Sequence, residues 1–279
     1  MLFFKEKGEK MGKRIKKIIL MICIFSLVMN QFQGISIDVS VAEEEPLLAF
    51  PGAEGGGKYT RGARAGRPIT VYHVTNLNES GPGSLADAVS KPNRIIVFDV
   101  GGTIKLKKTL SIPSSNLTIL GQTAPGDGIT ITGAGVELKS GISEIIIRYL
   151  RIRPGDEDGV SEHDGIGGRW VKNVILDHIS VSWTVDEGIT LYAGSMENVN
   201  NGIVTRKETS SNVTVQNCIG AESLRMSSHF KGAHGYGGIW GANNSSWYQN
   251  LLEHHDSRVP RLDPNLNKTD IRNNVFYNW

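Results

Sequence analysis

The chain repeats itself. Five short stretches, Ile147-Arg148-Tyr149-Leu150, Leu176-Asp177-His178-Ile179, Val215-Gln216-Asn217-Cys218, Tyr248-Gln249-Asn250-Leu251 and Ile271-Arg272-Asn273-Asn274, share one pattern: apolar, polar, polar, then usually apolar. Their second positions are separated by 29, 39, 33 and 23 residues. A strand-rich unit of that size cannot bury its own apolar face, so it must stack on copies of itself. Short β-branched runs (RIIVFDV, LTIL, ITITG, EIIIRYLRI, NVILDHISV, NVTVQNC) alternate with Gly, Asn, Asp and Ser, and helical periodicity is almost missing. One short helix is expected at LADAV, capped by Ser84 with Asp87 at the third position. These features predict an all-β solenoid, a parallel β-helix. A sandwich or propeller would show two-residue Asn-Gly or Asp-Gly hairpin turns, which are scarce. Asn217, Asn250 and Asn273 fall at one position of the aligned repeats and predict a ladder of side-chain amides between coils. The unequal spacing predicts loops of different length at the same corner of each coil.

The first forty residues stand apart from that pattern. Lys13, Arg14, Lys16 and Lys17 precede an apolar run from Ile18 to Met29, and Ser40-Val41-Ala42 follows. The run is short for a bilayer span, and the order of segments describes a secretory signal peptide over residues 1–42. The β-helix is then expected over 43–279, with 43–100 as its N-terminal capping region. The leader holds 7 of the 30 Lys and Arg and 3 of the 28 Asp and Glu, leaving 23 basic against 25 acidic residues. A general polyanion binder is therefore not indicated, nucleic acid is not an expected partner, and no membrane association is expected once the signal peptide is cleaved. Cys23 lies in the leader, so Cys218 stands alone and no disulfide framework exists.

Several clusters could carry chemistry. GAEGGGKY at 52–59 has the spacing of a phosphate-binding loop, but Tyr59 replaces the Ser or Thr and breakers follow where a helix is required. Its expected role is backbone packing. Asp164, Asp177 and the Asp186-Glu187 pair sit on or just after successive coils, where equivalent corners stack and distant acids can meet. Such a cluster suits a hard cation such as calcium; solvated turn acids are the plainer reading. Asp177 and His178 lie at strand positions and read as mostly structural. Arg225, His229, Lys231 and His234 share one glycine-rich loop, and Arg258 and Arg261 lie in EHHDSRVPRL. His229 and His234 with His254 and His255 are a candidate zinc set, although the spacing matches no known ligand pattern.

NVILDHISVSWTVDEG, ESLRMSSHFKGAHGYGGIWG and HHDSRVPR, with AFPGAEGGG, GPGSLADAV and LTILGQTAPGDGI upstream, together resemble the family 1 pectate lyases from about Ala49 to Trp279. The resemblance implies a right-handed, single-stranded parallel β-helix that cleaves polygalacturonate by calcium-assisted β-elimination. It implies a secreted, extracellular protein acting on an acidic plant cell-wall polysaccharide, and we expect a monomer. Asp164 and Asp186 resemble the calcium-binding acids, with Glu187 a near substitute. Lys231 resembles the lysine that holds a substrate carboxylate, with Arg225 as the alternative. Arg258, two before Pro260, matches the proposed Brønsted base, and Arg261 a substrate clamp. Two positions depart from the pattern: Asp263 stands where an arginine is usual, and Thr190 where a further Asp is usual. Family relatives run on for further coils, whereas IRNNVFYNW falls inside a coil, so a C-terminal truncation is expected. A non-catalytic polysaccharide-binding β-helix and a polygalacturonase-like hydrolase using Asp164, Asp177 and Asp186 remain as alternatives.

Overall fold

The computed structural model describes residues 16–22, 46–157, 164–192, 197–200, 203–206, 210–263 and 268–279. The chain divides into two units, Met1–Glu45 and Pro46–Trp279. In the first unit residues 16–22 are helical and exposed, and most of the expected signal peptide lies outside the described residues. No helix among the described residues is long and apolar enough to cross a membrane.

In the second unit each coil turns through three strands. Among the described residues they form parallel sheets of eight, seven and six strands. The first sheet runs from Thr70–Val74 to Thr269–Arg272, the second from Gly102–Lys105 to Val275–Tyr277, and the third from Leu110–Ile112 to Arg261–Leu262. This is the parallel β-helix that the repeats predict. Its core is built from ladders of like residues, one rung per coil. Ile96, Ile119, Ile147, Leu176, Val215, Trp247 and Ile271 stand opposite one another along the first sheet. β-Branched side chains suit this stacking because each pleat offers a rigid apolar surface to the next. Trp240 and Trp247, both fully buried, stack with centroids 4.4 Å apart inside the later coils. Ser84 caps the helix Leu85–Val89 by accepting a bond from the Asp87 N–H at 3.2 Å, and the helix packs on the first strands.

The coil register differs from the sequence alignment in one repeat. Tyr248, not Gln249, pairs with Gln216 and Arg272. Asn217, Gln249 and Asn273 therefore share the bend between the first and second sheets, each with φ between 54° and 57°. Asn250 lies one place further on, beside Cys218 and Asn274: its Oδ1 accepts from the Cys218 N–H at 2.9 Å, and its own N–H donates to Asn274 Oδ1 at 3.0 Å. The expected ladder of Asn217, Asn250 and Asn273 is thus corrected. A longer amide ladder lies where the chain enters the first sheet. Asn244 donates to Asn212, Asn212 to Asn173 and Asn173 to Glu144, each at 2.8 Å. Asparagine tolerates the left-handed bend there and satisfies the next coil at the same time.

The glycine-rich segment near Gly55 is a strap over the outer face of the first sheet. Ile146 and Ile175 point outward there and are covered by Ala53, with Ala49 and Phe50 packed alongside. The strap's Gly56 and Gly57 N–H groups donate to Ser246 Oγ (3.1 Å) and Thr214 Oγ1 (2.9 Å). A Cβ at Gly56 would run into the main-chain carbonyl of Asn244. Gly56→Ala is accordingly expected to destabilise the protein by about 1–3 kcal/mol, read as a lower midpoint in thermal or denaturant unfolding.

Candidate active site

The third sheet carries the site. Its strands are preceded by a tight row of turns, tied together as a continuation of the sheet. Gly165 N–H bonds Glu187 O at 2.8 Å, Gly188 N–H bonds Tyr236 O at 2.8 Å, and Gly237 N–H bonds Ser257 O at 3.0 Å. Single parallel bridges join Glu187 to Tyr236 and Tyr236 to Ser257. This row sets Asp164, Asp186, Glu187 and Arg258 at one height, though 94 residues of sequence separate the first from the last.

Asp164, Asp186 and Glu187 each bring a carboxylate oxygen within 4.8 Å of the others. Asp164 Oδ1 accepts the Glu187 N–H at 3.2 Å, and Glu187, itself buried, is ion-paired with Arg258. Burial and the neighbouring Asp186 push the Asp164 carboxyl up to about 7. Asp186 Oδ1 is buried with no partner among the described residues. Crowded acids of this kind, one of them with an unbonded oxygen, are the donor set of a hard, oxygen-preferring cation such as calcium. A cation there would relieve the repulsion that raises Asp164.

Beside the acids runs a groove of about 380 Å³ over the outward face of the third sheet. Glu137, Gly167, Thr190, Ile239 and Arg261 follow one another across the strands. Asp164, Arg169 and Tyr192 also line or border it, with the Arg169 guanidinium 4.8 Å from the Tyr192 ring centre. Gly167 keeps the floor open, since a Cβ there would stand 3.0 Å from Asp164 Oδ2.

No protein-family model matches the chain. It is 43% identical over 234 residues to a probable pectate lyase C of Aspergillus flavus, covering 84% of this chain and 48% of that protein. Over that stretch the chain is similar to pectate lyases. A probable pectate lyase C of Aspergillus terreus is 40% identical over 259 residues, covering 92% of this chain and 52% of that one. The chain thus spans about half the length of the curated relatives it matches. The cedar pollen allergen Jun a 1 shares the fold with a TM-score of 0.55 at 18% identity, over 78% of this chain and 61% of its own. A variant of Bacillus subtilis pectate lyase does so with a TM-score of 0.55 at 14% identity, over 83% and 73%.

On this β-helix the other expected residues are dispersed. Arg261 is exposed on the last strand of the third sheet, opposite Ile239. Lys231 is exposed on the loop after Ala221, its ammonium 4.9 Å from the Phe230 ring centre. Arg225 is paired with Asp256 at 2.5 Å. Asp177 is fully buried in a network on the first sheet, away from this groove, which removes one acid from the hydrolase alternative. The four histidines of the zinc reading part company. His229 and His234 stack near Asp186, whereas His254 bonds Asn278 at 2.8 Å. His255 Nε2 faces Gly220 O at 3.0 Å and its Nδ1 faces Ser223 Oγ at 2.7 Å. Because a carbonyl only accepts, the His255 proton sits on Nε2 and both nitrogens are engaged; burial lowers its pKa to about 4.

The departures have structural work. Thr190 Oγ1 accepts the Ile239 N–H of the next coil at 3.2 Å. Asp263 is buried at the same edge and its N–H bonds Trp240 O at 3.0 Å. Sequence reasoning missed Glu137, Arg169, Tyr192 and Tyr236. Aligning the strand starts Ile166–Arg169 and Ile189–Tyr192 would have placed Arg169 and Tyr192 on one outward position.

Proposed function

We propose that this chain cleaves polygalacturonate by calcium-assisted β-elimination, with Asp164, Asp186 and Glu187 holding the cation and Arg258 taking the proton. The observation that carries the reading is the three-acid cluster with Arg258 ion-paired to it at the edge of the groove. The uronate C5 proton lies α to a carboxylate, so removing it develops a second negative charge. A bound calcium supplies positive charge where that charge forms. The base takes the C5 proton, the electron pair forms the C4–C5 double bond, and the glycosidic oxygen leaves with a proton from solvent. Arg261 and Arg169 offer planar forks suited to the carboxylates of neighbouring sugars, and Lys231 or Arg225 would have to leave their present contacts on the loop to join them. The same reading takes residues 1–42 as a signal peptide, 43–100 as the capping region of a β-helix over 43–279, and the protein as a secreted monomer.

Incubation with polygalacturonate tests this directly. Ultraviolet absorbance of an unsaturated product is expected to rise with added calcium and to stop on chelation. Reducing ends without absorbance would identify a hydrolase, and neither signal would identify a binding module.

A further inference from the structure

Asp186 is faced from one side by a histidine that nothing so far explains. Its Oδ2 stands 3.6 Å from His229 Nε2, while its Oδ1 has no partner among the described residues. The His229 side chain is fully enclosed. Its ring lies almost parallel to His234, centroids 3.8 Å apart, and also stacks on Phe230 at 5.2 Å. A tight turn follows it: Gly232, with φ of +82°, donates its N–H to His229 O at 3.0 Å.

The tautomer follows from one bond. The main-chain N–H of Lys231 donates to His229 Nδ1 at 3.1 Å, so Nδ1 presents a lone pair. In a neutral imidazole the proton then sits on Nε2, the nitrogen that faces Asp186 and has no hydrogen-bond partner among the described residues. Asp186, His229 and His234 otherwise have the composition of a transition-metal centre, with ligand atoms within 4.8 Å of one another. A protonated Nε2 has no lone pair for a metal, and Nδ1 is already occupied. In that tautomer the imidazole offers Asp186 an N–H and has no lone pair free to ligate a metal.

We infer that His229 is a positioning residue: its Nε2–H restrains Oδ2 of Asp186, fixing the carboxylate plane and leaving Oδ1 for the cation. The inference rests on the calcium reading of the acid cluster and assigns calcium affinity to a residue outside the ligand set. Groups that orient metal ligands in this way typically contribute 10–100-fold to affinity.

Calcium titration of the full chain by calorimetry tests it. His229→Asn carries its amide nitrogen near the Nδ1 position and cannot reach Asp186, so affinity is expected to fall about 10–100-fold. His229→Gln places an N–H near the Nε2 position and is expected to restore most of it. In the wild-type protein, long-range nitrogen–proton NMR is expected to show His229 as the neutral Nε2–H tautomer, a readout independent of any variant's folding. Equal calcium affinity in the wild type and a folded His229→Asn variant would overturn the inference and leave the calcium reading intact. Absence of saturable binding in the wild type overturns both. An Nδ1–H tautomer, or cobalt(II) spectra showing imidazole ligation lost in His229→Asn, would also overturn it.

Discussion

Arg258→Ala is expected to lower kcat on polygalacturonate by about 1000-fold, the usual scale for losing a positioned base. Calcium binding should survive, because the three acids remain and Glu187 loses its competing cation. Guanidinium is ordinarily protonated at any working pH, so the environment must favour its neutral form. Burial pushes the Arg258 pKa down, Arg261 pushes the same way, and Asp186 and Asp164 oppose them. The balance is downward, and whatever neutralises those acids removes the opposing influences. The rate should therefore climb with pH into the alkaline range, following the neutral fraction. Arg261→Ala removes a like charge, raises the Arg258 pKa and should move the rising limb to higher pH. Initial rates of product absorbance against pH for the three proteins give the comparison. More than about a tenth of wild-type kcat in Arg258→Ala would exclude it as the base, and a limb that levels off near neutrality would point to a histidine instead.

The solenoid was readable because its signal is redundant: each coil restates the pattern of the last, and the ladder from Ile96 to Ile271 is visible as recurring apolar positions. The acids were readable for the same reason, since Asp164 and Asp186 both lie just before third-sheet strands. Register was harder. Gln249 looks like the equivalent of Gln216, but the structure places Tyr248 there because its ring can be buried while its hydroxyl bonds Gln216 Oε1 at 2.6 Å. Polarity alone cannot separate a buried tyrosine hydroxyl from an exposed amide. The contact of His229 with Asp186 joins a long loop to a turn of another coil, and no periodicity encodes it. The same holds for Arg258 and Glu187, which meet only because Tyr236 bridges their turns.

Asp177→Ala is expected to cost about 3–5 kcal/mol of stability, the range for leaving one partner of a buried ion pair uncompensated. The carboxylate is fully enclosed and accepts from Arg148 Nε (2.7 Å), Gln216 Nε2 (2.8 Å) and Asn217 Nδ2 (3.0 Å), with His178 Nδ1 at 2.9 Å. Two of these donors serve the strap as well: Arg148 lies over the Phe50 ring at 3.7 Å, and Gln216 bonds Gly52 O at 3.1 Å. Removing Asp177 should therefore loosen residues 50–57 as well as the first sheet, exposing backbone amides of the strap to faster hydrogen exchange. The pH dependence has a definite sign. Burial alone would raise the Asp177 pKa, but the bonds from Asn217, His178, Arg148 and Gln216 outweigh it and hold the carboxyl below its ordinary 3.8. A depressed acid stabilises the fold above its unfolded pKa and loses that contribution as pH falls through the folded value. The gap between wild type and Asp177→Ala should accordingly stay constant from neutrality down to about pH 5 and shrink below the ordinary carboxylate range. His255 adds acid sensitivity of its own. Its pKa falls from 6.5 to about 4 on folding, so the unfolded chain binds the extra proton between those values and stability declines as pH drops across them. Denaturant unfolding at several pH values separates the two, because His255 acts in both proteins and Asp177 in only one. A difference below about 1 kcal/mol at neutral pH would mean that Arg148 and Gln216 find other acceptors, and that the strap rather than the buried carboxylate holds this face together.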